Sequence, residues 1–239
     1  ALAGIDPAHA AADQVQPIAE LLVRNAQKIS TGPDQATYSH LLESAQKYLA
    51  DSRMPKDEAK ALQAKLIEPG VITQYQRTQA IEVPEGPAKA FAAVFPPEQK
   101  PAGPFTPFVV KGKSFTLTPV TVADPKGLYP LDMPASSVVY LTTTVTAPAA
   151  ESAQLAAGSD DGLQIWLNGK SVLSKNVDRG LIADKNKQIV SLQSGANVLL
   201  LKVDNHGDGS GVQARLRMRV GEFAPDEILG PANKAKINI

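Results

Sequence analysis

The residues best suited to chemistry cluster in the second half of the chain. Asp160 and Asp161 put adjacent carboxylates on one loop, and Asp204, Asn205 and Asp208 gather in a later one. Carboxylate and amide oxygens are hard ligands, and a hard cation needs about six to eight of them. Asp160, Asp161 and Asn205 are therefore candidate metal ligands if the two loops meet. A local reading competes with this: aspartates at a turn bond nearby backbone N–H groups and need no ion. Trp166, the sole tryptophan, shares a strand with Asn168. Its indole could stack on a sugar ring, with the Asn168 amide beside it, or it could pack in the interior as strand tryptophans commonly do. Arg215, Arg217 and Arg219 recur at period two and could hold sulfate or carboxylate groups of an anionic ligand. Otherwise they form a solvated face balanced by acidic neighbours across strands.

Catalysis finds little support. Three histidines are present, and His9 and His40 lie far in sequence from His206. No H-E-x-x-H, P-loop or dinucleotide fingerprint occurs, and the Asn205–Gly211 loop is followed by no strand-to-helix step. No pair of carboxylates stands out for glycoside hydrolysis. The chain reads as non-enzymatic. It has no cysteine, which removes disulfides, thiolate metal sites and cysteine nucleophiles. Charge is balanced at 24 basic and 24 acidic residues, against a bulk nucleic-acid binder. No apolar run approaches the roughly 20 residues of a membrane span.

The elements that must carry these residues fall into three stretches. Residues 1–70 are rich in Ala, Gln, Leu and Lys at helical spacing. Ile18, Leu21, Leu22, Ala26 and Ile29 mark one helix, which Pro17 starts or kinks. Tyr38, Leu41, Leu42, Ala45 and Leu49 mark a second, capped by Asp34 after Gly32-Pro33. Ala59, Leu62 and Leu66 mark a third between Pro55 and Pro69-Gly70. These predict a three-helix bundle. Residues 71–221 turn to β character, opening with a strand at Val71–Tyr75. A Pro- and Gly-rich stretch from Val83 to Pro107 follows, with at most one helical turn near Ala88–Val94. Strands are expected at Phe115–Val122, Val138–Thr146, Ser152–Ala157, Leu163–Asn168, Ser171–Leu173, Gln188–Leu192, Val198–Asp204 and Val212–Val220. Such short strands with turns between them predict an antiparallel jelly-roll β-sandwich. Asp160-Asp161-Gly162 and Asn168-Gly169 read as tight hairpin turns flanking one strand. Residues 222–239 read as an extended C-terminal tail.

The words Gly158-Ser159-Asp160-Asp161-Gly162, Ile165-Trp166-Leu167-Asn168-Gly169-Lys170, Arg179-Gly180-Leu181 and Leu199-Leu200-Leu201-Lys202-Val203 carry a resemblance. Val94-Phe95-Pro96-Pro97-Glu98 adds to it upstream. Together they resemble the jelly-roll module of large secreted planctomycete proteins, similar in outline to PA14-type carbohydrate-binding sandwiches. The likeness covers about Val71 to Val220, with Gln79-Ala80-Ile81 standing where the module has Gly-Pro-Phe. It implies calcium at Asp160-Asp161 and a glycan ligand.

The expectation is a two-part α+β chain acting as a non-catalytic binding module of the cell envelope or exterior, with carbohydrate as the implied ligand. The competing expectation is an accessory subunit of a larger envelope complex, working through protein–protein contacts. The start at Ala1-Leu2-Ala3-Gly4 fits a removed signal peptide and hence a periplasmic or extracellular location.

Overall fold

The computed structural model describes residues 6–29, 35–66 and 70–218. It is a mixed α+β chain with several antiparallel sheets, dividing into two compact units. One is Ala1–Val71 with Asp124–Lys126; the other is Ile72–Ala123 with Gly127–Ile239.

In the first unit, α1 (Val15–Ile29), α2 (Gln35–Leu49) and α3 (Lys56–Gln63) share one apolar cluster. Val15, Ala19, Leu22 and Ala26 supply it from α1, and Leu41, Ala45 and Tyr48 from α2. Their spacing of three and four residues places each set on one helix face. Pro17 falls in the first turn of α1, where backbone N–H groups have no intrahelical partner, so the ring breaks no bond. The Arg53 guanidinium donates to the carbonyls of Pro7 and Ala10 at 2.7 and 2.8 Å, fastening the entering chain. Asp34, Gly32-Pro33, Pro69, Arg219 and the tail lie outside the described residues.

The second unit opens with β1 (Gln74–Arg77) and β2 (Ile81–Glu82), then α4 (Pro87–Ala92) and α5 (Pro96–Gln99). Next come β3 (Phe108–Val110), β4 (Lys113–Phe115), β5 (Thr118–Thr121) and β6 (Tyr129–Pro130). The long strands β7 (Ser137–Ala147), β8 (Glu151–Asp160) and β9 (Gly162–Leu167) follow. The last four are β10 (Lys170–Lys175), β11 (Asn186–Leu192), β12 (Gly195–Asn205) and β13 (Gly211–Met218). One sheet runs β10-β9-β12-β7-β1-β5, with β2 also on β7; another runs β11-β8-β13-β6; β3 and β4 pair alone. Leu141, Ile165, Leu199 and Leu201 of the first sheet share a core with Leu155, Val190, Val212 and Leu216 of the second. Alternation along β7, β9 and β12 sends the intervening residues to the outer face of the larger sheet.

Four expectations need correction. Asp160-Asp161-Gly162 is not a hairpin: β8 pairs with β11 and β13, whereas β9 pairs with β10 and β12, so the chain crosses between sheets there. Neither Asp161 nor Gly162 takes a positive φ, whereas the true hairpin at Asn168-Gly169 has φ 48° and 84°. The opening strand begins at Gln74 rather than Val71, and Phe115–Val122 breaks into β4 and β5 around Thr116-Leu117. The Pro-rich stretch holds two short helices, each starting at a proline whose fixed φ and missing N–H suit a first turn.

Candidate functional site

The loop end of the β unit is tied together by Asp161. Its side chain is buried, with Oδ1 accepting the backbone N–H of Arg179 at 2.8 Å and Oδ2 that of His206 at 2.7 Å. The β8–β9 crossing is thereby fixed to the segment before β11 and to the loop after β12. Arg179 adds to the tie by donating to the Ser159 carbonyl and hydroxyl at 3.1 and 2.9 Å. Close approach of the backbone completes the arrangement. A Cβ on Gly158 would lie 1.9 Å from the Ile182 carbonyl oxygen, and one on Gly209 would lie 2.6 Å from Asp160 Oδ2.

Asp160 differs from its neighbour. It is partly exposed, faces the loop after β12, and accepts the Leu181 backbone N–H. Burial pushes its carboxyl up, and the nearby charges of Asp161 and Asp178 push it further. Beside it, Asp204 is buried with Oδ2 2.8 Å from His206 Nε2, while no hydrogen-bond partner among the described residues meets Oδ1. Burial raises the Asp204 carboxyl, and His206 opposes that shift.

The other sequence candidates fall elsewhere. Asn205 is buried, donating to the Met133 carbonyl at 2.8 Å and accepting the Gly207 N–H at 3.1 Å. Asn168 holds its own hairpin against β12, donating to Asn197 Oδ1 and accepting the Val198 N–H, each at 2.8 Å. Trp166 lies on the outer face, half-buried against a cluster that includes Tyr140 and Leu200. Arg215 and Arg217 point to the outer side of the smaller sheet. Arg215 is buried and pairs with Asp184 at 3.1 Å, and Arg217 is partly exposed.

One polar cluster escaped sequence reasoning. Lys202 is 1% exposed, and its Nζ donates to the Phe91 carbonyl at 2.9 Å and lies 3.0 Å from Glu98 Oε1. The Tyr140 hydroxyl donates to the same Glu98 oxygen, and Phe95 meets the Tyr140 ring edge-on. Burial drives the Lys202 ammonium down while Glu98 holds it up; burial foremost, then Glu98, drives the Tyr140 hydroxyl up. A lysine inside Leu199-Leu200-Leu201-Lys202-Val203 was the available signal, since a charge in an apolar strand requires a partner.

No family model and no curated protein matches the chain. Similar solved structures do exist. A PA14 sugar-binding domain from an RTX adhesin is 16% identical over 64% of this chain and 93% of its own, with a TM-score of 0.34. The PA14 domain of the antifreeze protein MpAFP is 18% identical over 36% of this chain, with a TM-score of 0.31. A β-glucosidase from Kluyveromyces marxianus in complex with glucose is 12% identical over 64% of this chain, with a TM-score of 0.41. The chain spans 46% of the antifreeze-protein structure and 17% of the glucosidase.

The donor set can be tested against calcium directly. Both Asp161 oxygens already accept backbone N–H groups, and both ends of the Asn205 amide are engaged. Among the described residues no three acidic or histidine side chains converge on one point. As arranged, the free carboxylate oxygens around this loop, those of Asp160 and the unpartnered Asp204 Oδ1, fall short of a cage of about six to eight oxygens.

Proposed function

We propose that the β unit is a non-catalytic binding module of the cell envelope or exterior, a jelly-roll sandwich that takes a carbohydrate at the loop end around Asp160. One observation carries this reading: Asp161 immobilises three chain segments while the adjacent Asp160 carboxylate, partly exposed beside the loop after β12, accepts the Leu181 backbone N–H. A carboxylate held by a rigid frame is a strong acceptor for sugar hydroxyls and loses little entropy on binding.

The test is calcium titration by calorimetry, followed by a glycan array with and without the ion, on the full chain and on Asp160→Ala and Asp161→Ala. Glycan signal lost in Asp160→Ala supports the reading. Dependence on calcium would add the metal, and independence would assign recognition to the carboxylate itself. A blank array sinks the carbohydrate reading. The alternative is then an accessory subunit contacting other proteins, favoured by Val94 and Val109, which are 65% and 62% exposed.

A further inference from the structure

The outer face of the larger sheet carries a groove that none of the sequence candidates enters. Its cavity measures about 570 Å³, within the range of small-molecule sites. Register builds its floor. Gln74 stands opposite Thr121 and Gln76 opposite Pro119 on β5, while Gln76 also stands opposite Thr142 on β7. On β7, Thr144 stands opposite Val198 of β12. Tyr75, between the two glutamines, points into the core, so both carboxamides face outward. The segment from Ala102 to Phe105 forms one wall, with the half-buried Phe105 ring at its end.

Two properties define what fits. Every side chain lining the groove is uncharged, so phosphate, sulfate and uronate groups find no counter-charge there. Among the described residues, the side chains of Gln74, Gln76, Thr121 and Thr144 make no hydrogen bond to the rest of the protein. Two planar amides and two hydroxyls, a few ångströms apart on a stiff sheet, offer donors and acceptors in the alternation that vicinal hydroxyls present. Phe105, Pro104 and Pro119 supply apolar surface for the C–H face of a ring. A purely apolar ligand would strand four polar groups, and an extended peptide would add at a sheet edge rather than cross its face.

We propose that this groove is a binding site for a neutral oligosaccharide. It stands independently of the loop reading. Val198 and Asp204 are six residues apart on β12, which puts the groove roughly 20 Å from the loop end.

The test is affinity electrophoresis of the full chain through gels containing β-glucan, xylan, glucomannan or galactan, with polygalacturonate as the anionic control. The variants are Gln74→Ala/Gln76→Ala, Thr144→Arg and Asp160→Ala, each checked for an unchanged melting temperature. The expected result is retardation by at least one neutral polymer, weakened roughly tenfold by the double alanine variant and by Thr144→Arg. Loss in these variants supports the groove whether or not Asp160→Ala also weakens binding. Three results overturn it: no retardation by any neutral polymer, retardation by polygalacturonate alone, or retardation that survives both groove variants. If Asp160→Ala abolishes a retardation that the groove variants keep, the loop reading stands and the groove proposal falls.

Discussion

Tyr140 and Thr144 project from the same side of β7, four residues apart, into opposite circumstances. Around Tyr140 the sheet is roofed by α4, α5 and the chain between them. There Tyr140 and Lys202 both bond Glu98, and Lys202 also donates to backbone carbonyls. Around Thr144 the sheet is open: the Thr142 hydroxyl donates to the Leu199 carbonyl, whereas the side chains of Gln74, Gln76, Thr121 and Thr144 bond to nothing in the described residues. The strand chemistry is alike in both halves. What differs is the cover: once a roof excludes water, every polar group beneath it must find a partner, whereas an open face can keep its polar groups available.

The largest effect expected from this contrast is at the roof. Glu98→Ala leaves the Lys202 ammonium buried without its counter-charge and should cost about 3 kcal/mol or more, read from the denaturant midpoint of the β unit. Replacing the cluster together, as Lys202→Met, Glu98→Leu and Tyr140→Phe, should recover much of that loss, because neither an unpaired charge nor a stranded hydroxyl remains. A cost under about 1 kcal/mol for Glu98→Ala would mean that water reaches Lys202 and that the two halves do not differ as described.

The same contrast recurs between two adjacent residues at the loop end. Asp161 is committed to two backbone N–H groups, so Asp161→Ala should cost about 2 kcal/mol. Hydrogen exchange at the Arg179 and His206 amides should accelerate selectively. Asp161→Asn, which keeps one oxygen acceptor, should fall between. Uniform exchange across the three segments in Asp161→Ala would show that the carboxylate is not what joins them.

Much of this architecture was legible because alternation reports burial. Leu163, Ile165 and Leu167 point to the core and Trp166 to the other face, and Val212, Ala214 and Leu216 separate cleanly from Gln213, Arg215 and Arg217. Asn168-Gly169 was legible because positive φ at both positions demands such residues. Asp160-Asp161-Gly162 misled because it has the composition of a tight turn, while strand pairing, which local sequence does not encode, sends β8 and β9 to different sheets. The roof and the groove were illegible for a related reason. Glu98 meets Lys202 across 104 positions of sequence, and Gln76 comes to stand opposite Thr142 only through register. Of the candidate ligands, Asn168, Asn205 and Arg215 have the right chemistry, but the fold binds that chemistry internally.

The smallest predicted effect tests whether Asp160 is truly uncommitted. Its carboxyl is held above the ordinary value of 3.8 by burial and by Asp161 and Asp178. Between that value and the raised one, the folded chain binds more protons than the unfolded chain, so stability falls as pH rises through the window. The penalty is complete above the raised value. Asp160→Asn removes it, so at pH 7 the variant should be the more stable form, by less than about 1 kcal/mol. The difference should close as pH falls below 3.8, where the wild-type carboxyl is also neutral. Paired melts at pH 7 and pH 3 read both points. A variant less stable than wild type at pH 7 would place Asp160 with Asp161 among the groups that hold the fold. A gain at pH 7 would mean that the ionised carboxylate is kept at a cost to stability, as expected of a side chain whose partner arrives from outside.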